Sequence, residues 1–254
     1  MRLYLASTSP ARLALLRQIG IEPVVVPSFV DEEAAVLAAE AATGRSLAAP
    51  ELVALLARLK AEAVLGATPG GEPIDGFVLG GDSAFEFDGA IYGKPHLPEV
   101  ARDRWRRQRG RSGVLHSGHW MIDHRLPGRP APVSGLTAGR IAPPSAVPSA
   151  VPSASSGAAP SASPFPGRGA VTSATVEFAA DITDAEIDAY VASGEPLEVA
   201  GAFTIDGMAA PFIRSISGAP STVIGMSLPT LRDLLAQFGV SITELWTPRA
   251  TGSL

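Results

Sequence analysis

Two short stretches hold side chains able to act on a phosphate. In Ser7-Thr8-Ser9-Pro10-Ala11-Arg12, small hydroxyl residues precede a proline at a first-turn position and an arginine that follows at once. Hydroxyls and free backbone N–H groups at a helix N-terminus cradle anions, because the helix dipole is positive there. In Gly80-Gly81-Asp82-Ser83, a carboxylate follows a glycine pair at the end of an apolar run. Open α/β sheets place catalytic groups at the C-terminal ends of strands, and glycines there let a ligand approach the backbone. Lys94, between Gly93 and Pro95, sits in a constrained loop nearby in sequence.

Arg12 is the most demanding of these residues. At 3.6 residues per turn it shares a face with Leu16 and Ile19, while Arg17 and Gln18 point away. A charge in an apolar stripe is costly unless paired, so a carboxylate elsewhere or an anionic ligand is expected to meet it. The same residues also fit an ordinary cap, with Ser9 at the N-cap, Pro10 at N1 and Arg12 snorkelling to water.

The elements that must position these groups follow from pattern. Leu3 to Ala6 reads as a strand and Pro10 to Ile19 as a helix stopped by Gly20. Pro23 to Pro27 reads as a buried strand. Asp31, Glu32 and Glu33 open an alanine-rich helix, which is a favourable first turn or, in the functional reading, brings one carboxylate to a metal. Pro50 to Leu65 reads as an amphipathic helix with a buried stripe of Leu52, Leu55, Leu56, Leu59 and Ala63 and with Lys60 at its edge. Phe77 to Leu79 is an apolar strand expected to break at Gly80-Gly81, with Ala84 to Phe87 as the outgoing strand.

Pro98 to Gly110 reads as a helix, and six arginines fall between Arg102 and Arg111 with Trp105 among them. This is a nucleic-acid pattern, but Glu99, Asp103 and the formal net charge of -5 favour a solvated helix face. His116 and His119, on the strand Val114 to Asp123, lack a spacing that aims both rings at one metal, so neither is assigned to a site. From 127 to 169 the composition turns to proline, serine, alanine and glycine, which predicts a disordered or polyproline-like insert. A strand resumes at Val171. Thr183-Asp184-Ala185-Glu186 is a capping box, and Leu231, Leu234, Leu235 and Phe238 mark a last amphipathic helix.

With 254 residues, nearly half of them apolar, the chain can bury a sizeable core. It has no cysteine, which excludes disulfides, thiolate nucleophiles and cysteine-based zinc sites and leaves carboxylates, histidines or substrate phosphates for any metal. No run of eighteen apolar residues is present, and the first residues do not resemble a secretory signal, so the cytoplasm is expected.

Taken in order, Leu5-Ala6-Ser7-Thr8-Ser9-Pro10-Ala11-Arg12, Leu59-Lys60-Ala61, Gly81-Asp82-Ser83, Gly93-Lys94-Pro95, Ser193-Gly194-Glu195-Pro196-Leu197 and Ala200-Gly201-Ala202-Phe203 resemble the Maf (multicopy-associated filamentation) nucleotide pyrophosphatases. The resemblance spans nearly the whole chain except the insert. It implies a single α/β domain over 1–254 in two lobes with a cleft between them, built on an elongated mixed sheet flanked by helices and similar to the inosine triphosphate pyrophosphatases. It further implies hydrolysis of standard or non-standard nucleoside triphosphates to the monophosphate and pyrophosphate, a house-cleaning role, with magnesium or manganese.

By motif, Asp82 matches the catalytic base, and Ser7, Ser9, Arg12, Lys60, Lys94 and Glu195 match substrate-binding residues. Glu32 and Asp82 match the metal positions. Ala11, Ser83 and Asp206 match positions around the base, and all three depart from the pattern of the thymidine- and uridine-triphosphate enzymes. Val199 stands where the family has a lysine, which, with Ala11 and Asp206, puts the substrate rather than the reaction in question. Stable nucleic-acid binding and membrane association are not expected, and a homodimer is left open. The competing reading, from another class, is a nucleotide-binding regulator of division or septum formation without significant turnover.

Overall fold

The computed structural model describes residues 1–126 and 165–247. Most of the proline-rich stretch lies outside the described residues. The elements run β1 (Leu3–Ala6), α1 (Pro10–Gln18), β2 (Val24–Val25), α2 (Glu32–Thr43), α3 (Ala49–Ala63), β3 (Gly76–Phe87), β4 (Ala90–Tyr92), α4 (Pro98–Gln108), β5 (Ser112–His124), β6 (Gly167–Phe178), α5 (Asp184–Ala192), β7 (Ile213–Ser217), α6 (Pro220–Ile224) and α7 (Leu228–Gln237). The fold is α/β, a seven-stranded mixed sheet flanked by helices, in the order β2-β1-β3-β5-β6-β7 with β4 on β3. β1 runs parallel to β2 and β3, and the long β3, β5, β6 and β7 are joined antiparallel.

Three sequence expectations are corrected. The strand before Pro27 is an edge of two residues, with Val25 40% exposed, because the prolines on either side cannot donate to a ladder. The buried stripe of α3 is Val53, Leu56, Ala57, Lys60 and Ala61, rotated from the expected leucines, with Lys60 inside it rather than at its edge. β3 does not break at Gly80-Gly81 but runs on unbroken to Phe87.

The last two corrections have one cause. A Cβ at Gly80 would stand 2.1 Å from the Ala57 carbonyl oxygen, and one at Gly118 on β5 would stand 2.1 Å from that of Val53. The glycines admit the small-residue face of α3 directly onto the sheet, so Ala57 and Ala61 are buried where leucine would not fit.

The capping box at Thr183 is present, with its hydroxyl accepting from Glu186 N–H and Glu186 reaching back to Thr183 N–H, and it opens α5. β6 begins at Gly167, inside the stretch expected to be insert. Its approach is anchored by Phe165 on the His124 ring and by Asp123 N–H donating to Pro166.

On α4, Trp105 is fully buried and donates to Ala202 O at 2.8 Å. The six arginines around it are engaged within the chain. Arg102 pairs with Asp188, Arg106 and Arg109 with Asp184, and Arg107 and Arg111 with Asp88, while Arg104 donates to Gly93 O and lies over Tyr92. Among the described residues, no helix is long and apolar enough to cross a membrane.

Candidate active site

The site lies at an opening in the sheet. β1 pairs with β3 as far as Ala6↔Gly80, and β4 takes up that edge only from Phe85, so among the described residues no strand covers Gly81 to Ala84 there. Side chains of a strand alternate between its faces. Gly80 and Asp82 therefore face α3, and Gly81 and Ser83 face α1, which the contacts bear out.

On the α3 side, Lys60 Nζ lies 2.7 Å from Asp82 Oδ1 and 2.7 Å from Glu32 Oε1. Lys60 and Asp82 are buried, whereas Glu32 is half-exposed. Burial pushes the Asp82 carboxyl above its ordinary value, with Lys60 and Arg12 pulling the other way. Glu32 arrives from α2, where Asp31 caps the first turn by accepting from Ala34 N–H and where no side chain is buried. Its carboxylate thus meets the core through Lys60.

On the α1 side, Arg12 is buried and spread over neutral partners. Its Nε donates to Gly225 O at 2.8 Å, Nη1 to Ser7 Oγ at 3.2 Å and Nη2 to Ser83 Oγ at 3.0 Å. Its guanidinium rests against Gly81, where a Cβ would come within 3.2 Å of Nε. No carboxylate lies within ion-pair distance among the described residues, and burial lowers the guanidinium from its ordinary value. Ser9 is the N-cap, its hydroxyl accepting from Arg12 N–H, and Pro10 follows it, so the cap is present as expected, but Arg12 is buried and does not snorkel to water.

The other expected residues make their contacts elsewhere. Lys94 is exposed and pairs with Glu198 at 3.5 Å. The Glu195 carboxylate accepts from Tyr190 Oη at 2.8 Å and from Met208 N–H at 3.0 Å, clamping the Gly207 loop. Burial, followed by Glu195, raises the Tyr190 phenol. Asp206 is exposed and accepts from the Thr204 hydroxyl, and Ala11 is half-buried beside Arg12. Sequence reasoning missed Ser117 and the Gly225 carbonyl. Pairing β5 with β3 would have suggested Ser117, which lies opposite Ser83.

A family profile described as Maf-like protein matches residues 2–137 and 162–238. The chain belongs to the Maf family. It is 60% identical over 246 residues to a protein of Leifsonia xyli named nucleoside triphosphate pyrophosphatase, covering 97% of each chain. Proteins of the same name from Salinispora tropica, at 46% over 97% of this chain and 88% of that one, and from Saccharopolyspora erythraea, at 42% over 98% of each, are also similar.

The two matched segments of this Maf chain contain Ser7, Arg12, Glu32, Lys60, Asp82 and Ser83, and the gap between them falls within the proline-rich stretch. Among the described residues, no three or more acidic or histidine side chains gather as a metal cage. Two carboxylates converging on one ammonium still fit a divalent cation of the magnesium type, which is commonly held by one or two carboxylates plus substrate phosphates.

Proposed function

We propose that this Maf protein is a nucleoside triphosphate pyrophosphatase with Asp82 as general base. The observation that carries the reading is Arg12: a buried cation held only by hydroxyls and a carbonyl, beside the strand that presents Asp82. Three of its five N–H groups serve the protein, which leaves capacity for phosphate oxygens. A buried charge with neutral partners alone is costly, and a polyphosphate supplies the missing anion.

The chemistry follows from the two faces of β3. Asp82 takes a proton from water as its oxygen bonds to the α-phosphorus. The bridging P–O bond breaks, and its electrons leave with pyrophosphate. A carboxylate pushed up by burial is the stronger base for this transfer. Arg12 and Lys60 meet the charge that moves onto the phosphate oxygens. A divalent cation held by Glu32 and Asp82 would supply further neutralisation of the phosphates. Ser7 orients Arg12, and Ser9 holds the first turn of α1 from which it projects.

Lys94, Glu195 and Asp206 belong, in this reading, to the part of a cleft that meets the rest of the nucleotide. The engaged arginines of α4 support the absence of stable nucleic-acid binding, and a nucleotide substrate suits the cytoplasm. The test is to incubate the protein with a panel of nucleoside triphosphates and magnesium or manganese and follow pyrophosphate. Release of pyrophosphate with the monophosphate supports the enzyme; binding without release favours the regulatory reading.

A further inference from the structure

We propose that Ser117 and His119 are positioning residues for Arg12, acting through the Thr222–Ser227 turn. Among the described residues, the Arg12 side chain reaches the protein backbone at one point, the Gly225 carbonyl, to which its Nε donates at 2.8 Å. Where that carbonyl points is set by the turn between α6 and α7. Gly225 has φ +133, a conformation open to glycine but rarely to side chains, and the turn closes on itself through Gly225 N–H and Met226 N–H to Ser221 O, so its placement against the sheet is what further contacts can set.

β5 holds it on both sides of Gly225. Ser117, fully buried, donates its hydroxyl to Thr222 O at 3.0 Å. Two residues on, and on the same face of the strand, His119 Nε2 accepts from Ser227 N–H at 2.8 Å. That bond fixes the proton of the neutral ring on Nδ1. Between them, Ser83 Oγ lies 3.0 Å from Ser117 Oγ and 3.3 Å from Gly225 O while accepting from Arg12 Nη2. Ser227 then caps α7 through Thr230 N–H, which ties the same turn to the last helix.

The alternative role for these groups is simple satisfaction of buried polar atoms. It would stabilise the fold without affecting Arg12 in particular. The geometry argues for more, because the two pinned atoms, Thr222 O and Ser227 N, bracket the one carbonyl that Arg12 uses. Burial holds His119 well below its ordinary value, to about 4, so the ring stays a neutral acceptor across the working range. The inference rests on the pyrophosphatase reading only for what Arg12 binds, not for how Arg12 is held.

The experiment is solvent exchange of the Arg12 Nε–H, read by nitrogen-15 NMR of the whole protein and assigned with Arg12→Lys. In His119→Leu and in Ser117→Ala, exchange should quicken by about five- to ten-fold, the scale of one hydrogen bond. In His119→Gln, whose carbonyl oxygen can still accept, exchange should stay near wild type. In parallel, KM for a nucleoside triphosphate should rise in the Leu and Ala variants, and neither change should add to the defect of Arg12→Ala.

Unchanged Arg12 exchange in folded Ser117→Ala and His119→Leu proteins overturns the proposal, and Ser117→Ala decides alone if the leucine variant does not fold. A KM effect that adds fully to Arg12→Ala overturns it as well. If wild type releases no pyrophosphate but exchange responds as expected, the enzymatic reading fails and this one stands.

Discussion

Gly80 lies directly beneath Ala57, so close that a Cβ on it would stand 2.1 Å from the Ala57 carbonyl oxygen. This contact sets the height of α3 above the sheet, and with it the reach of Lys60 to Asp82, two residues along the same strand face. Gly80→Ala should therefore cost about 3 kcal/mol or more through overpacking against the backbone and should lower turnover by moving Lys60. Thermal unfolding and pyrophosphate release together check this. A stable variant of normal activity would show that α3 shifts without consequence.

Asp82→Asn should leave a folded protein that still binds nucleotide but loses about 10²- to 10⁴-fold in kcat, the usual effect of removing a positioned general base. Asparagine keeps the size of the side chain and removes its charge, and Lys60 retains Glu32 as a partner. Turnover near the wild-type rate would remove Asp82 from the base role.

What the sequence made legible was mostly local. Pro10 at the start of α1 and the box at Thr183 act within a few residues of themselves. The need of Arg12 for a partner was legible too, since only its place among apolar residues was required. What could not be read depended on distant chain. Gly80-Gly81 looked like a strand break, because nothing local says that Ala57 presses on one glycine and Arg12 on the other. For the same reason Leu52, Leu55 and Leu59 looked like the buried stripe, although a glycine-floored sheet selects Ala57 and Ala61. Ser117 gave no hint at all, because its meaning comes from Ser83 across the ladder.

His119 predicts a pH dependence of stability. Its folded value of about 4 lies below its ordinary 6.5, so its contribution is full above pH 6.5 and is lost as pH falls toward 4. Protonation favours the unfolded chain over that range, by about 3 kcal/mol at its acid end. His119→Gln lacks this titration. The gap in melting temperature between the two proteins should therefore move in favour of the variant between pH 6.5 and 4.5, and parallel curves would contradict the assignment.

Deleting Arg129 to Ser163 and closing the gap with a short glycine turn should leave melting temperature and activity nearly unchanged, because loop-closure entropy varies slowly with length. Extending the deletion to Arg168 should be harmful. It removes Phe165 from the His124 ring, the Pro166 carbonyl from Asp123 N–H and the first residues of β6. Equal stability of the two deletions would show that these contacts contribute little. Loss of activity in the shorter deletion would give the insert a part in the cleft.

Asp206 concerns the choice of base. An aspartate where the family commonly has an amide replaces a group that donates and accepts with one that, when ionised, only accepts. In the structure Asp206 is exposed and takes one hydrogen bond, from the Thr204 hydroxyl, which leaves further lone pairs on the carboxylate. Its loop is not free to drift, since Glu195 grips Met208 N–H and a Cβ on Gly207 would fall 2.5 Å from Glu195 Oε2. A fixed acceptor favours a base edge rich in N–H donors, such as the N1–H and amino group of guanine. Asp206→Gln should then shift preference toward uridine or thymidine triphosphate by roughly ten-fold, about one hydrogen bond. The measurement is the ratio of kcat/KM for guanosine and uridine triphosphates in wild type and variant. A ratio that does not move would place Asp206 away from the base and leave Thr204 as its partner in both states.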